Sequence, residues 1–330
     1  MPENTQPVFS IITPTFKRPE LLKRAIDSVR RQTFDDYEHI IVDDANDGET
    51  RKIVDSFNDR KIIFHQHSEP KGAAGGYNSG IRLSNGNYML FLDDDDEYMP
   101  SFLETVFEEF VQSDKNENTG FIWTGVSIVN DKNSGDTEMF SKIWPSVFKN
   151  KEAGLVAATT IGNGYGLCVK RECIETIGTY DESISIGQDA DFLFRLVRNY
   201  DFRTISRALV KIHVHNNPQL TDDINNRIRL EMREKILCRN MDLLNRFPHL
   251  YLVHFRHIAD LSYRLALKKK GREIIFGLMK RFPFRISVYA DFLTYELFGK
   301  DFFTAFYIRK LKRSFLSLRI NKSRLESRSS

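Results

Sequence analysis

Only three of the 330 residues are cysteine: Cys168, Cys173 and Cys238. An odd count without metal-ligand spacing excludes a disulfide framework and a zinc cluster, and free thiols point to a reducing cytoplasm. No apolar run approaches the roughly 20 residues of a membrane span, so no membrane-crossing helix is expected. Met1–Pro7 has neither a basic start nor an apolar centre, and no secretory leader is expected there. The chain also lacks the P-loop and the Gly-x-Gly-x-x-Gly fingerprint. Its glycine-rich stretch, Gly72-Ala-Ala-Gly-Gly, matches neither. What is present is ordinary for a globular chain, at 41% hydrophobic and 28% charged, so disorder is expected only at Met1–Gln6 and Ser327–Ser330. The length suits one large α/β domain with an appendage.

The first hundred residues alternate apolar runs with helical patterns. Val8–Thr13, His39–Val42, Lys61–His65 and Tyr88–Leu92 read as strands. Pro19–Gln32, Glu49–Phe57 and Tyr77–Leu83 read as helices, the last opened by a glycine-rich loop over Gly72–Gly76. This spacing predicts an α/β fold with a mostly parallel central sheet and helices on both faces. Phe121–Val129 and Ala208–Ile212 add strands, and Asp189–Asn199 adds an amphipathic helix. From Asp222 the pattern turns helical, without internal repeat. The expected division is a catalytic domain over 1–218 and a helical region over 219–330, with the boundary near Pro218–Asp223.

In such sheets ligands gather at the carboxyl ends of the strands. Thr13, Pro14 and Thr15 stand at one such end, Asp43 and Asp44 at another, and Asp93-Asp94-Asp95-Asp96 at a third. Side chains alternate along a strand, so Asp93 and Asp95 would share a side if strand geometry persisted. Carboxylates ~4 Å apart repel by about 4 kcal/mol at an effective dielectric near 20. A hard divalent cation relieves that repulsion and also takes phosphate oxygens. A helix cap would explain one aspartate, not four.

Asp43-Asp44 can accept hydrogen bonds from a base or ribose, although the run through Gly48 is also a turn signal. Exposed N–H groups at the glycine-rich helix start could face phosphate. Asp189 opens its helix, where it could act as a general base or simply cap. His213 and His215 alternate onto one face, and either could reach a metal.

Read together, these stretches resemble the inverting family 2 glycosyltransferases with the A-type nucleotide-diphosphosugar transferase fold. The matching text is Phe9-Ser-Ile-Ile-Thr-Pro-Thr-Phe-Lys-Arg-Pro, Ile41-Val-Asp-Asp-Ala-Asn-Asp-Gly-Glu-Thr, Asn78-Ser-Gly-Ile and Gly86-Asn-Tyr-Met-Leu-Phe-Leu-Asp-Asp-Asp-Asp. Gly178-Thr-Tyr-Asp-Glu and Gly187-Gln-Asp-Ala-Asp-Phe-Leu-Phe-Arg-Leu follow in order, all within residues 7–216. The resemblance implies an inverting, metal-dependent transfer of sugar from a nucleotide diphosphate, commonly UDP, to a hydroxyl acceptor. Thr13, Pro14, Thr15, Asp43, Asp44, Asn78, Asp93 and Asp94 would bind the nucleotide sugar. Asp95, with His213 or His215, would hold Mn²⁺ or Mg²⁺, and Asp189 would be the catalytic base. Two departures stand out. Gln188 replaces an acid that many relatives carry, and Tyr77 stands where many carry arginine before Asn78. Bacterial relatives often extend lipid-linked precursors of O-antigen or capsule, which implies a lipid-linked or glycan acceptor and no nucleic acid.

Charge is unevenly spread. Residues 251–330 hold 18 Lys/Arg against 6 Asp/Glu, a balance of +12, which leaves −9 on the preceding 250. Tyr307, Ile308, Leu311, Phe315 and Leu318 fall on one face of a final helix studded with basic residues. That pattern suits an anionic membrane surface at the cytoplasmic side, or packing on the core or on a second copy of the chain. The rival functions are a non-catalytic sugar-nucleotide or membrane-binding module and a same-fold nucleotidyltransferase. A binding module needs no base at Asp189.

Overall fold

The computed structural model describes residues 6–46, 48–113, 118–131, 137–215 and 222–297. The expected final helix with Tyr307, Ile308, Leu311, Phe315 and Leu318, the segments 1–5 and 327–330, and Pro218 lie outside these residues. The chain divides into two compact units, Met1–Leu220 and Thr221–Ser330.

The first unit begins β1 (Phe9–Thr15), α1 (Pro19–Arg30), β2 (Tyr37–Asp43), α2 (Glu49–Ser56), β3 (Ile62–Gln66), α3 (Gly72–Leu83) and β4 (Tyr88–Phe91). It continues with β5 (Glu97–Tyr98), α4 (Phe102–Ser113), β6 (Thr119–Asn130), β7 (Thr137–Lys142) and α5 (Lys151–Ala158). β8 (Cys168–Lys170), α6 (Arg171–Ile177), α7 (Gln188–Asn199) and β9 (Asp201–Val214) complete it. The sheet order is β3-β2-β1-β4-β8-β6-β9-β5, with β7 on β6. The first four strands are parallel, as the strand–helix alternation predicts, and so is the β6–β9 pair. β4–β8, β6–β8, β6–β7 and β5–β9 run antiparallel. β9 is far longer than Ala208–Ile212. Its first half carries exposed Asp201, Ser206 and Arg207, and register shifts against β6 break the apolar alternation.

β1 buries both faces, which is why it reads as a near-continuous apolar run. Phe9 and Ile11 pack with Ala25 and Val29 of α1 and Phe102 and Val106 of α4. The opposite face meets α3, where a Cβ at Gly76 would lie 2.8 Å from Pro14 Cβ and one at Gly80 2.2 Å from Ile12 Cγ2. Gly72–Gly76 is therefore the first turn of α3 and not the expected loop. Its glycines cost helix propensity, roughly 1 kcal/mol each, but let the helix approach the strand closely. The register sets Thr15 opposite Asp43, so the carboxyl ends of β1 and β2 finish level. β4 joins them, with Leu92 N donating to Ile12 O.

The second unit comprises α8 (Asn226–Arg239), α9 (Met241–Arg246), α10 (Pro248–Arg264), α11 (Lys268–Arg281) and a helix over residues 286–297. Leu252, Ala259, Tyr263, Ile275, Leu278, Val288 and Tyr295 form its core, with Tyr263 stacked on Tyr295 at 4.3 Å. Among the described residues no helix is long and apolar enough to cross a membrane.

Candidate active site

The strand that carries the aspartates stops at Phe91, and the chain then turns, with Asp96 N donating to Asp93 O at 3.1 Å. Because of that turn, strand alternation does not decide which carboxylates meet. Asp93 and Asp95 do come together, joined by Asp96, with one oxygen from each within 4.8 Å of the others. Asp94 turns aside. Its Oδ2 accepts from Thr15 Oγ1 at 2.6 Å, and its Oδ1 pairs with the Arg18 guanidinium at 2.5 Å. Arg18 also donates to Asp95 Oδ2 at 2.9 Å.

Burial pushes the Asp93 carboxyl up to about 6, aided by the charge of Asp95 and opposed by a hydrogen bond from Tyr77. Burial raises Asp94 to about 7 despite Arg18 beside it. Asp96 lies well above the usual carboxylate range, from burial first and then from Asp95 and Asp93. In each case the shift is upward because a dry, crowded anionic site disfavours the charged form. Three hard carboxylate oxygens from one turn, with concentrated negative charge, fit a divalent cation such as Mn²⁺ or Mg²⁺.

The two histidines part company. His215 Nε2 lies 3.0 Å from Asp95 Oδ2, at the cluster. His213 has both ring nitrogens committed elsewhere, Nδ1 to Asp131 and Nε2 to Glu97, each at 2.8 Å. Burial disfavours its charge, but those two bonds outweigh burial and lift its pKa above the ordinary histidine value. Its backbone N–H donates to Asp96 Oδ1 at 3.2 Å, and Arg24 bridges Asp131 to the Asp95 carbonyl. His213 thus braces the acidic turn from behind, where the His-x-His spacing had allowed it a place on the metal.

Asp189 is the second residue of α7, which follows Gly187 at φ 84°, a backbone that favours glycine. Its Oδ1 accepts from Ala190 N at 2.8 Å. The turn at 162–165 lies against both Asp189 and the acidic cluster. A Cβ at Gly162 would sit 2.8 Å from Asp189 Oδ2, and one at Gly164 2.9 Å from Asp96 Oδ2 and 3.3 Å from Asp93 Oδ2. Glycine at these two positions lets the backbone line the site without displacing its carboxylates. The charge of Asp189 also raises the proton affinity of Asp93. Asp189 and the acidic cluster are thus both lined by the 162–165 turn, although almost a hundred residues separate them in the chain.

The remaining expected site residues make structural bonds. Thr13 Oγ1 meets His39 Nε2 at 3.0 Å, and Pro14 packs on Gly76. Asp43 accepts from Ala45 N and Gln66 Nε2. Asp44 accepts from His67 Nδ1 at 2.7 Å and from the backbone N–H of Lys71 and Gly72, so the start of α3 already holds a carboxylate. His67 passes the chain on to Ser79, a buried hydroxyl that also accepts from Arg82. Asn78 is tied to both backbone polar groups of Tyr180 at 2.9 Å and to Glu182.

Sequence reasoning passed over three participants. Arg18 follows Thr15 by three residues, and its basic Lys-Arg pair beside a strand end was the available signal. Asp96 was submerged in the run of four. Tyr77 stood out as a substitution, but its 2.5 Å bond to Asp93 and its stacking on Tyr180 needed the fold.

Comparison with known proteins follows the same residues. Positions 10–167 match the family described as Glycosyl transferase family 2. An uncharacterized glycosyltransferase of Haemophilus influenzae is 27% identical over 267 residues, covering 78% of this chain and 87% of that protein. The GalNAc(5)-diNAcBac-PP-undecaprenol beta-1,3-glucosyltransferase of Campylobacter jejuni is 36% identical over 106 residues, 31% of this chain and 34% of that protein. S. aureus TarS 1-349 in complex with UDP-GlcNAc superposes with a TM-score of 0.54 at 16% identity, over 87% of this chain and 80% of that one. Mannosyltransferase PcManGT from Pyrobaculum calidifontis, in complex with GDP-Man and Mn²⁺, gives 0.54 at 17%, over 83% and 75%. At such identities the two structures speak for a common fold, the A-type architecture that the sequence motifs imply.

Proposed function

We propose that this chain, whose residues 10–167 match glycosyl transferase family 2, moves a sugar, with inversion, from a UDP-linked donor to a hydroxyl of a lipid-linked glycan precursor. The observation that carries this reading is the meeting of Asp189 with the Asp93–Asp95–Asp96 cluster across Gly162 and Gly164. Thr13, Pro14, Thr15, Asp43 and Asp44, at the level ends of β1 and β2, would floor the pocket for the nucleotide. Asp94 would reach the donor through Thr15 and Arg18. Asn78 would anchor the Tyr180 loop beside it.

Asp93, Asp95 and Asp96, with His215 next to Asp95, would hold Mn²⁺ or Mg²⁺. Such an ion, when bound, neutralises charge that builds on the departing diphosphate. Asp189 takes the proton of the acceptor hydroxyl as its oxygen attacks the anomeric carbon from the side opposite the nucleotide. One displacement inverts that centre, so an α-linked donor yields a β-linked product. Tyr77 and Arg18 orient the carboxylates on either side of the turn.

The undecaprenol-linked substrate in the name of the Campylobacter relative supports a lipid-linked acceptor and a place in bacterial surface polysaccharide synthesis. A cytoplasmic, membrane-peripheral location fits such an acceptor. The helix over residues 286–297 supports it too, with Ile286, Leu293 and Leu297 exposed, preceded by exposed Phe284 and by Lys280, Arg281 and Arg285 in the sequence. The acids of that helix, Asp291 and Glu296, are paired with Arg256 and Arg272.

The test is nucleotide release. The chain is incubated with a panel of UDP- and GDP-sugars, with Mn²⁺ and with EDTA. UDP release that requires the metal and rises with a prenyl-diphosphate glycan acceptor is the expected result. No release from any UDP-sugar would overturn the donor assignment.

A further inference from the structure

Lys142 ends β7 between two aromatic rings. Its Nζ lies 4.5 Å from the Trp144 ring centroid and 4.8 Å from that of Tyr165. The rings meet edge to face at 5.3 Å. Trp144 is only 8% exposed, and Tyr165 and Lys142 are half-buried. No carboxylate pairs with Lys142 among the described residues. A desolvated ammonium without an anion is costly, and burial accordingly pushes its pKa down to about 8. Cation–π contacts with the two rings offset part of that cost.

The position of this cation matters. Tyr165 closes the short turn that begins at Gly162, with its N–H donating to the Gly162 carbonyl. A Cβ at Gly162 would lie 2.8 Å from Asp189 and 3.9 Å from the Tyr165 ring. The phenol of Tyr165 also feels the charges of Asp96 and Asp189, which raise its pKa after burial. Lys142 is therefore one aromatic ring away from the base that must meet the acceptor. An ammonium held over two rings, with no acid partner among the described residues, is placed to receive an anion from outside.

We propose that Lys142, framed by Trp144 and Tyr165, is the subsite for a phosphate group of the acceptor. The proposal rests on the transferase reading above and adds to it where the acceptor's anionic linkage would be held. Phosphate could also come from the donor, and the experiment separates the two sources.

The chain has two tryptophans, and one of them lies against this cation. Inorganic pyrophosphate is titrated into the full chain in EDTA while tryptophan emission is followed, with Trp144→Phe identifying the reporter. A saturable change is expected. Lys142→Met, checked for fold by circular dichroism, should weaken it at least about tenfold, as loss of a charge-assisted contact does, and Lys142→Arg should restore it. In steady-state assays with a prenyl-diphosphate glycan, Lys142→Met should raise the acceptor KM about tenfold, with a much smaller change in donor KM. Equal pyrophosphate affinity in the wild type and Lys142→Met would overturn the subsite. So would a KM rise confined to the donor, which would assign the cation to the nucleotide. If the wild type turns over no sugar nucleotide at all, the transferase reading fails, while the pyrophosphate titration still decides whether Lys142 binds an anion.

Discussion

Asp189 is the base in the proposed reaction, and a single-atom change tests it. Asp189→Asn keeps the shape of the site and removes the proton acceptor. Transfer should fall on the order of 10²–10⁴-fold while UDP-sugar affinity, read by calorimetry, stays within a few-fold. Unchanged turnover with acceptor present would refute the role. The acidic turn makes a second prediction, with a sign. Asp93, raised to about 6, and Asp94, raised to about 7, bind protons more tightly in the folded chain than in the unfolded one. Their contribution to stability is therefore complete below about pH 4 and is lost as pH climbs through 6 to 7. A divalent cation competes with those protons, so Mn²⁺ should raise the melting temperature by about 5 °C or more at pH 8 and far less at pH 5. Asp95→Ala should abolish the shift at both. A shift of the same size at pH 5 and pH 8 in the wild type would show that the ion binds elsewhere.

At the scale of the element, α3 shows glycine used for approach. Gly76 and Gly80 sit where a methyl would strike Pro14 and Ile12 of β1. Gly80→Ala gains up to ~1 kcal/mol of helix propensity but overpacks the helix–strand contact, which typically costs 1–3 kcal/mol. A net loss in urea unfolding is expected, together with weaker nucleotide binding, because the same helix carries Tyr77 to Asp93. Gly277 in α11 is the control. Nothing lies within 4 Å of its added Cβ, and Gly277→Ala should stabilise by roughly 0.5–1 kcal/mol. If both alanines act alike, the close-approach explanation of α3 is wrong.

Across the whole molecule the charge asymmetry makes the remaining prediction. The second unit carries the basic excess and a helix, residues 286–297, that buries Val288 and Tyr295 while Ile286 stays 82% exposed and Leu297 69%. A helix apolar on both sides needs a cover. Anionic lipid fits this one, since each basic side chain near such a surface contributes about 1 kcal/mol. Full-length chain should co-sediment with vesicles containing phosphatidylglycerol and be released by high salt. Replacing Ile286 and Leu293 with glutamate should abolish sedimentation. Persistence of binding would assign the attachment to other residues, and a dimer-to-monomer change on sizing would give the face to a second copy.

The sequence by itself determined the parallel start of the sheet. Strand runs as apolar as Phe9–Thr15 and Tyr37–Asp43, separated by amphipathic helices, can bury both faces only inside a layered α/β fold. It also determined where to look, because acids at strand ends stand where helix starts and loops converge. The four aspartates, Asp189 and the two histidines were legible in that way. What only the tertiary structure decided was which of them meet. One turn after Phe91 swings Asp94 onto Thr15 and Arg18 and brings Asp96 to the cluster, and periodicity says nothing about a side chain once the strand has ended. The parting of His213 from His215, and the place of Lys142 against the rings of Trp144 and Tyr165, depend on strands and turns far apart in the chain. Local pattern reports burial and period. Partnership between distant side chains is decided by packing.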